Sequence, residues 1–399
     1  MKQSWGIKTL GEVCEIMNGG TPDTTEPKFW DGDNLWITPK DMGKLESIYV
    51  DNTLRKITDE GLKNSSAKIL PVNSIILSSR APIGHLAINT NPMSTNQGCK
   101  GLVPRNGISA LYLYYFLSKS VDLLNSLGTG ATFKELSSSK LGTVEIPLPP
   151  LPEQQRIVAI LDDAFEAIAT AKTNAEQNLK NTKELFASYL HGVFENKGKD
   201  WQEKTLQEIV DERCTLSYGI VQPGEEFPNG IPVIRPTDLI SKFISLKGLK
   251  LIDPRLAQSY KRTTLMGNEL LLCVRGNTGV ISIATSELKS ANVTRGIVPI
   301  CFKPHILKLE FGYYQFISDF IMKQIKGKTY GAALMQINIG DLRKVTILIP
   351  SLSEQQTIVT KLDALSAETK RLEAIYQQKI ADLEELKKSI LQMAFNGEL

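Results

Sequence analysis

Histidine and cysteine are scarce in this chain, and those present are badly spaced for chemistry. The three histidines (His85, His191, His305) and five cysteines (Cys14, Cys99, Cys214, Cys273, Cys301) lie far apart. No C-x-x-C pair occurs, so neither a zinc site nor a disulfide framework is expected. No apolar signal segment follows Met1, which makes a reducing cytoplasm the expected compartment. The longest apolar runs, such as Leu270–Val274, are far too short to span a bilayer, so no membrane partner is expected. Gly128-Thr-Gly130 lacks the third glycine, the Lys-Ser/Thr pair and the preceding strand of a nucleotide loop. No pair of carboxylates beside a lysine suggests a nuclease centre. Catalytic residues and metal ligands are therefore expected to be none. Charge of one sign is also in short supply, since the net charge is only +3. The basic excess is concentrated in 199–352, whereas 151–198 and 353–399 are mildly acidic. That distribution points a polyanion at the globular parts.

What the chain has is a long internal repeat. VEIPLPPLPEQQRIVAILDDA from Val144 returns as VTILIPSLSEQQTIVTKLDAL from Val345, at an offset of 201 residues. After the second copy, Ile358, Leu362, Leu365, Thr369, Leu372, Tyr376 and Lys379 step by fours and threes, and the pattern runs on to Met393. This is the seam of a coiled coil. The same offset in the first copy gives Ile157, Leu161, Ala164, Ile168, Ala171, Ala175 and Asn178, with Leu190 and Phe194 matching Leu391 and Phe395 at the exits. Lys379 is expected to be a register-setting polar layer.

Upstream of each copy the resemblance continues as a skeleton. Trp5–Val13 answers Trp201–Ile209, WITPKD (36–41) answers VIRPTD (233–238), IILSSRAPIG (75–84) answers LLLCVRGNTG (270–279), and NQGCKGLVP (96–104) answers NVTRGIVP (292–299). Short apolar runs broken by Gly, Pro, Asn and Ser predict an α+β fold, strand-rich, with helices over 109–127 and 310–324. Pro152 with Glu153, and Ser353 with Glu354, are the expected openers of two long helices. The domains are expected at 1–150 and 199–352, with spacer helices at 151–198 and 353–399.

Chain geometry constrains the rest. Helices of about 43 residues are ~65 Å long, whereas a domain of this size has a radius of gyration of ~15 Å and cannot bridge them. Helices that pair along their length must then run antiparallel, with a domain at each end and a pseudo-two-fold axis between. Double-stranded DNA, with its local dyads, is the ligand that suits two inverted, related domains. Their differing loops predict two different half-sites.

The ordered set of domain, P-L-P-E-Q-Q-R-I-V, helix, second domain, S-E-Q-Q-x-I-V, helix and terminal A-F-N-G-E-L resembles the specificity (S) subunit of type I restriction–modification systems, over essentially the whole chain. The resemblance implies two target recognition domains, a helical spacer that docks two methyltransferase (M) subunits, and restriction (R) subunits that join through them. It implies a non-catalytic subunit, with S-adenosylmethionine, Mg2+ and ATP held only by partners.

Arg80 and Arg275 follow the strongest strand of each domain and suit guanine O6/N7 or a phosphate. Asn96, Gln97 and Asn292 carry amides suited to adenine, although asparagine in such loops also caps its own turn. Lys40, aligned with Arg235, is a candidate phosphate contact. Asn277 and Arg295 share these turns. Thr129, Thr132 and Lys134, and their counterparts Tyr330, Gln336 and Asn338, complete the candidate DNA contacts. Candidate partner contacts are Glu153, Gln154, Gln155 and Arg156, with Glu354, Gln355 and Gln356, and the exposed flanks Phe165, Phe186 and Ile375.

Overall fold

The computed structural model describes residues 5–130, 134–331 and 335–399. The chain divides into two compact units, one of 1–175 with 378–399 and one of 176–377. Each is α+β.

The first unit contains strands β1 (Gly6–Thr9), β2 (Cys14–Asn18), β3 (Trp30–Ile37), β4 (Tyr49–Val50), β5 (Arg55–Ile57), β6 (Ile75–Ser79), β7 (Ile83–Asn89), β8 (Met93–Thr95), β9 (Cys99–Pro104) and β10 (Glu145–Leu148). They form a five-stranded sheet in the order β2-β9-β6-β7-β4, a three-stranded sheet β5-β3-β8 and the pair β1-β10. β6, with all five residues buried, is the apolar centre of the larger sheet. One of its faces meets Tyr112, Leu113 and Phe116 of a helix over Ala110–Lys119.

The second unit has β11 (Gln202–Thr205), β12 (Ile231–Ile234), β13 (Lys250–Ile252), β14 (Leu270–Cys273), β15 (Ile281–Ile283), β16 (Asn292–Val293), β17 (Ile297–Ile300) and β18 (Thr346–Ile349). Its sheets β13-β12-β16, β15-β14-β17 and β11-β18 repeat the plan with a smaller central sheet. The helices expected as single stretches are broken. Ser120 separates Ala110–Lys119 from Val121–Leu127, and Ser318, in extended conformation, separates Leu309–Ile317 from Asp319–Lys328. The Ser318 hydroxyl donates to the Gln315 carbonyl, taking up an acceptor at the end of the preceding helix.

The long helices cover Leu151–Glu195 (45 residues) and Leu352–Phe395 (44 residues), beginning within a residue or two of the expected openers. In the first unit their segments run antiparallel: Arg156 donates to the Leu399 carbonyl oxygen, Lys387 lies over the Phe165 ring and Lys172 pairs with Glu384. In the second unit Leu190 and Phe194 share a core with Val359 and Leu362.

The seam differs from expectation in one respect. The positions Leu161, Ile168, Ala175 and Thr182, and Leu362 and Thr369, are buried, spaced by sevens. The alternate positions are not: Ala164 and Ala171 are half-buried, Asn178 and Lys379 are exposed, and Leu185 and Leu386 are about half exposed. Lys379 is thus a solvated side chain and no buried polar layer. Small or polar residues at Ala164, Ala171, Asn178 and Lys379 bury little apolar area, and Leu185 and Leu386 stay about half exposed, so only one row of the seam closes.

The cysteine expectation also needs correcting. Cys214 and Cys301 form a disulfide, with Cα atoms 5.6 Å apart, tying the loop after β11 to the end of β17. Folding alone brings these distant residues together, which no sequence spacing announces.

Candidate nucleic-acid interface

One end of each three-stranded sheet gathers most of the candidate DNA contacts. In the first unit β3 and β8 are parallel, with Ile37 beside Thr95, and β5 is antiparallel, with Trp36 beside Arg55. The turn at Thr38–Lys40, the turn at Asn96–Gly98 and the start of β5 therefore emerge together. Thr38 caps a single helical turn, its hydroxyl accepting from the Asp41 N–H at 3.3 Å while Asp41 accepts the Thr38 N–H at 3.0 Å. The Asn96 N–H donates to the Ile37 carbonyl at 2.9 Å.

Beside this lies the end of β6. The Ser79 N–H donates to the Gly98 carbonyl at 2.7 Å, and Leu136 donates to the Ser79 carbonyl at 2.9 Å. Arg80 thereby bridges Glu135, which pairs with Thr129 through two backbone bonds of 3.0 and 2.9 Å. A Cβ on Gly98 would stand 3.0 Å from Pro39 and 3.3 Å from the Arg80 Nε, so this position leaves room for little beyond hydrogen. Lys40, Gln97, Thr129 and Lys134 are exposed; Arg80 and Asn96 are half-buried. Thr132 lies outside the described residues.

The second unit builds the same end from the same bonds. Thr294 donates to Ile234 at 2.9 Å, Val274 to Gly296 at 2.8 Å and Ile337 to Val274 at 3.1 Å. Arg275 bridges Gln336, and Gln336 pairs with Tyr330. The correspondences are thus Arg80 with Arg275, Glu135 with Gln336, Thr129 with Tyr330, Gln97 with Arg295 and Thr38 with Arg235. Arg275, Asn277, Arg295 and Tyr330 are exposed. Neither Arg275 nor Arg295 has a carboxylate partner among the described residues.

Several expectations are corrected by this register. Arg235 aligns with Thr38, two residues before Lys40, and its guanidinium is already forked onto Asp238 at 2.9 and 3.1 Å. Asn292 occupies the position of Ser94 inside the sheet. It is fully buried, accepting from Thr263 at 2.7 Å and donating to the Tyr260 carbonyl at 3.1 Å, so its amide is not offered to a ligand. Asn338 is a helix N-cap, accepting the Asp341 N–H at 2.7 Å. Asn96 spends its carbonyl on Gly98 at 2.9 Å, and Gln97 is bonded to Thr21.

Two basic residues at this end carried no signal in the sequence. Arg55 stacks on Trp30. Lys100, the second residue of β9, lies beside Leu77, almost fully buried; burial, opposed by Glu135 and reinforced by Arg80, pulls its ammonium below the usual lysine range. The same position in the second unit, opposite Leu272, is Val298.

The candidate partner contacts divide. Gln154 and Gln355 are fully buried. Gln154 accepts the Ser109 N–H at 2.9 Å and donates to the carbonyls of Gly107 and Pro149, so it fastens helix to domain and is unavailable to a partner. Phe165 and Phe186, expected on exposed flanks, pack on their own units against Tyr115 and Tyr314 at ring distances of 5.5 and 6.3 Å. Glu153 is paired with Arg156, Glu354 accepts from the Trp201 indole, and Gln356 accepts from Lys308. Gln155 and Ile375 remain exposed.

Among the described residues no group of three or more His, Cys, Asp or Glu is placed to hold a metal ion, and no helix is long and apolar enough to cross a membrane.

Comparison with known proteins gives one consistent result. The family described as type I restriction modification DNA specificity domain matches twice, over 2–181 and 198–384. The type I restriction enzyme MjaIX specificity subunit of Methanocaldococcus jannaschii is 30% identical, over 100% of this chain and 94% of that protein. The EcoBI specificity subunit of Escherichia coli is 27% identical over 78% of this chain and 70% of that protein. Among solved structures, a chain from a study of assembly and conformational transition of the type I R-M system superimposes with a TM-score of 0.78 at 20% identity, covering 100% of this chain and 99% of that one. The HsdS subunit of Thermoanaerobacter tengcongensis does so with a TM-score of 0.65 at 19% identity, covering 100% and 98%. With the repeated fold, these matches mean that the chain belongs to the type I restriction modification DNA specificity family.

Proposed function

We propose that this protein is the specificity subunit of a type I restriction–modification complex, each globular domain reading one half of an asymmetric, bipartite duplex site. The observation that carries this is the duplicated sheet end, built from equivalent backbone bonds but bearing different side chains: Thr38 against Arg235, Gln97 against Arg295, Glu135 against Gln336. One frame with two sets of donors and acceptors suits two different base sequences. Arg80 and Arg275 are the leading base or phosphate contacts; Lys40, Gln97, Thr129, Lys134, Asn277, Arg295, Tyr330 and Gln336 surround them.

In this reading residues 1–150 and 199–352 are the readers, and 151–198 and 353–399 set the gap between half-sites and dock two methyltransferase subunits. Restriction subunits join through these. The chain is not itself catalytic, S-adenosylmethionine, Mg2+ and ATP belong to the partners, and the complex works in the cytoplasm. The test is to express the chain with its methyltransferase subunits and map methylated DNA. A bipartite motif with unlike halves is expected; methyl transfer by the purified chain alone, or a single contiguous motif, would overturn the reading.

A further inference from the structure

Arg55 is the first residue of β5, and its guanidinium carbon sits 3.8 Å from the centre of the Trp30 ring and 5.3 Å from that of Trp36. The two indoles meet edge to face at 5.1 Å and are themselves fixed, Trp30 donating to the Asp23 carbonyl at 3.0 Å and Trp36 to that of Gly20 at 2.9 Å. The backbone under Arg55 is braced as well. Thr53 accepts the Trp36 N–H at 3.1 Å and donates to the Arg55 carbonyl at 2.7 Å.

This shelf belongs to the candidate interface. Gly20, held by Trp36, donates its own N–H to Thr95, and its neighbour Thr21 bonds Gln97. The chain of contacts thus runs from Arg55 through the indoles to the Asn96–Gly98 turn. Arg55 is exposed, and its guanidinium has no carboxylate or hydrogen-bond partner among the described residues. Other arginines of this chain behave differently: Arg213, Arg235 and Arg255 each close on a carboxylate two or three residues away. Arg55, with Asp51 and Asp59 each four residues away, stacks instead.

Stacking holds the guanidinium plane while leaving its N–H edges open, which lowers the entropy lost when two parallel hydrogen bonds form. A phosphate needs charge but no fixed plane. A guanine, offering O6 and N7 side by side, needs both. The second unit has no such device: the residue at the Arg55 position, opposite Val233, is Lys250, whose ammonium is bonded to the Gly224 carbonyl.

Resting on the DNA-specificity reading above, we propose that Arg55, presented by the Trp30–Trp36 shelf, reads a guanine in the half-site of the first domain, with no counterpart in the second. The test uses the complex assembled with its methyltransferase subunits, mapping methylated sites for wild type, Arg55→Ala and Arg55→Lys. Both variants are expected to relax one G·C position of one half-site by about tenfold or more, leaving the other half-site unchanged. Arg55 is exposed, so folding is preserved, and unaltered discrimination at the second half-site within the same molecules confirms it. An unchanged motif, an equal loss on every sequence, or an Arg55→Lys motif identical to wild type would each overturn the inference. A wild-type complex that marks no bipartite sequence would instead sink the underlying reading.

Discussion

The side-chain carbonyl of Gln355 accepts the backbone N–H of Lys308 at 2.8 Å. Its amide group donates to the carbonyls of Ile306 and Pro350 at 2.9 and 3.0 Å. One buried side chain thus satisfies three backbone groups at the junction of domain and helix. Gln355→Ala would leave all three without partners in a dry site. A loss of about 2–4 kcal/mol is expected, measured by chemical denaturation, with hydrogen exchange rising first around 306–308. Gln154→Ala should do the same at 107–109.

The second junction responds to acid. Asp363 is bonded to both Lys242 and Tyr314. Burial pushes its carboxyl up, but those two hydrogen bonds outweigh it and hold the group below the ordinary aspartate range. Burial first, then Asp363, pushes the Tyr314 phenol up, so it remains a donor. A carboxyl lowered by folding stabilises fully above its unfolded value of about 4 and loses that contribution as pH falls through the folded value. The difference in Tm between wild type and Asp363→Asn should therefore be constant from about pH 5 to 8 and shrink below about pH 4.

Lys100 trades stability for charge. Its register partner in the second unit is Val298, so the strand does not require a lysine. Lys100→Met should raise stability by about 1 kcal/mol in thermal unfolding, because it removes a cation from a desolvated site. Its complex should nevertheless bind duplex DNA more weakly, with a shallower dependence on salt.

Arg275→Ala should affect only the second half-site. If Arg275 reads a base, one position relaxes; if it grips a phosphate, affinity falls evenly across sequences and the salt slope drops by about one. Competition binding over a randomised second half-site distinguishes the two.

Lengthening both long helices by a heptad keeps the buried row of sevens in phase and adds ~10 Å. The tolerated gap between half-sites should grow by about three base pairs at 3.4 Å each, read directly from the methylated motif.

Much of this architecture was legible because it is written twice. The offset of 201 pairs Gln154 with Gln355, Leu161 with Leu362 and Phe194 with Phe395, and the structure buries all six. Linear alignment failed where strands and turns differ in length. It set Asn292 against Asn96, whereas backbone pairing sets Asn292 against Ser94. For Arg235 the aligned hexapeptides already agree with backbone pairing on Thr38, and Lys40 answers Thr237. Arg55 escaped notice because its role depends on β3 and β5 being neighbours, and on a break in their register between Trp30 and Asn34 that carries Trp30 alongside Ile57. Nothing local in N-T-L-R-K declares that. The first glutamine of each E-Q-Q, Gln154 and Gln355, was conspicuous as part of a motif, yet its role is fastening and not display; the second, Gln155 and Gln356, stays exposed.

The backbone bonds from Gly98 to Ser79 and from Gly296 to Val274 ask nothing of the side chains around them. Substitution at Glu135, Arg295 or Gln336 can therefore proceed without loosening the frame. Such a protein can acquire a new address one letter at a time, and each half of the address can drift while the other is kept.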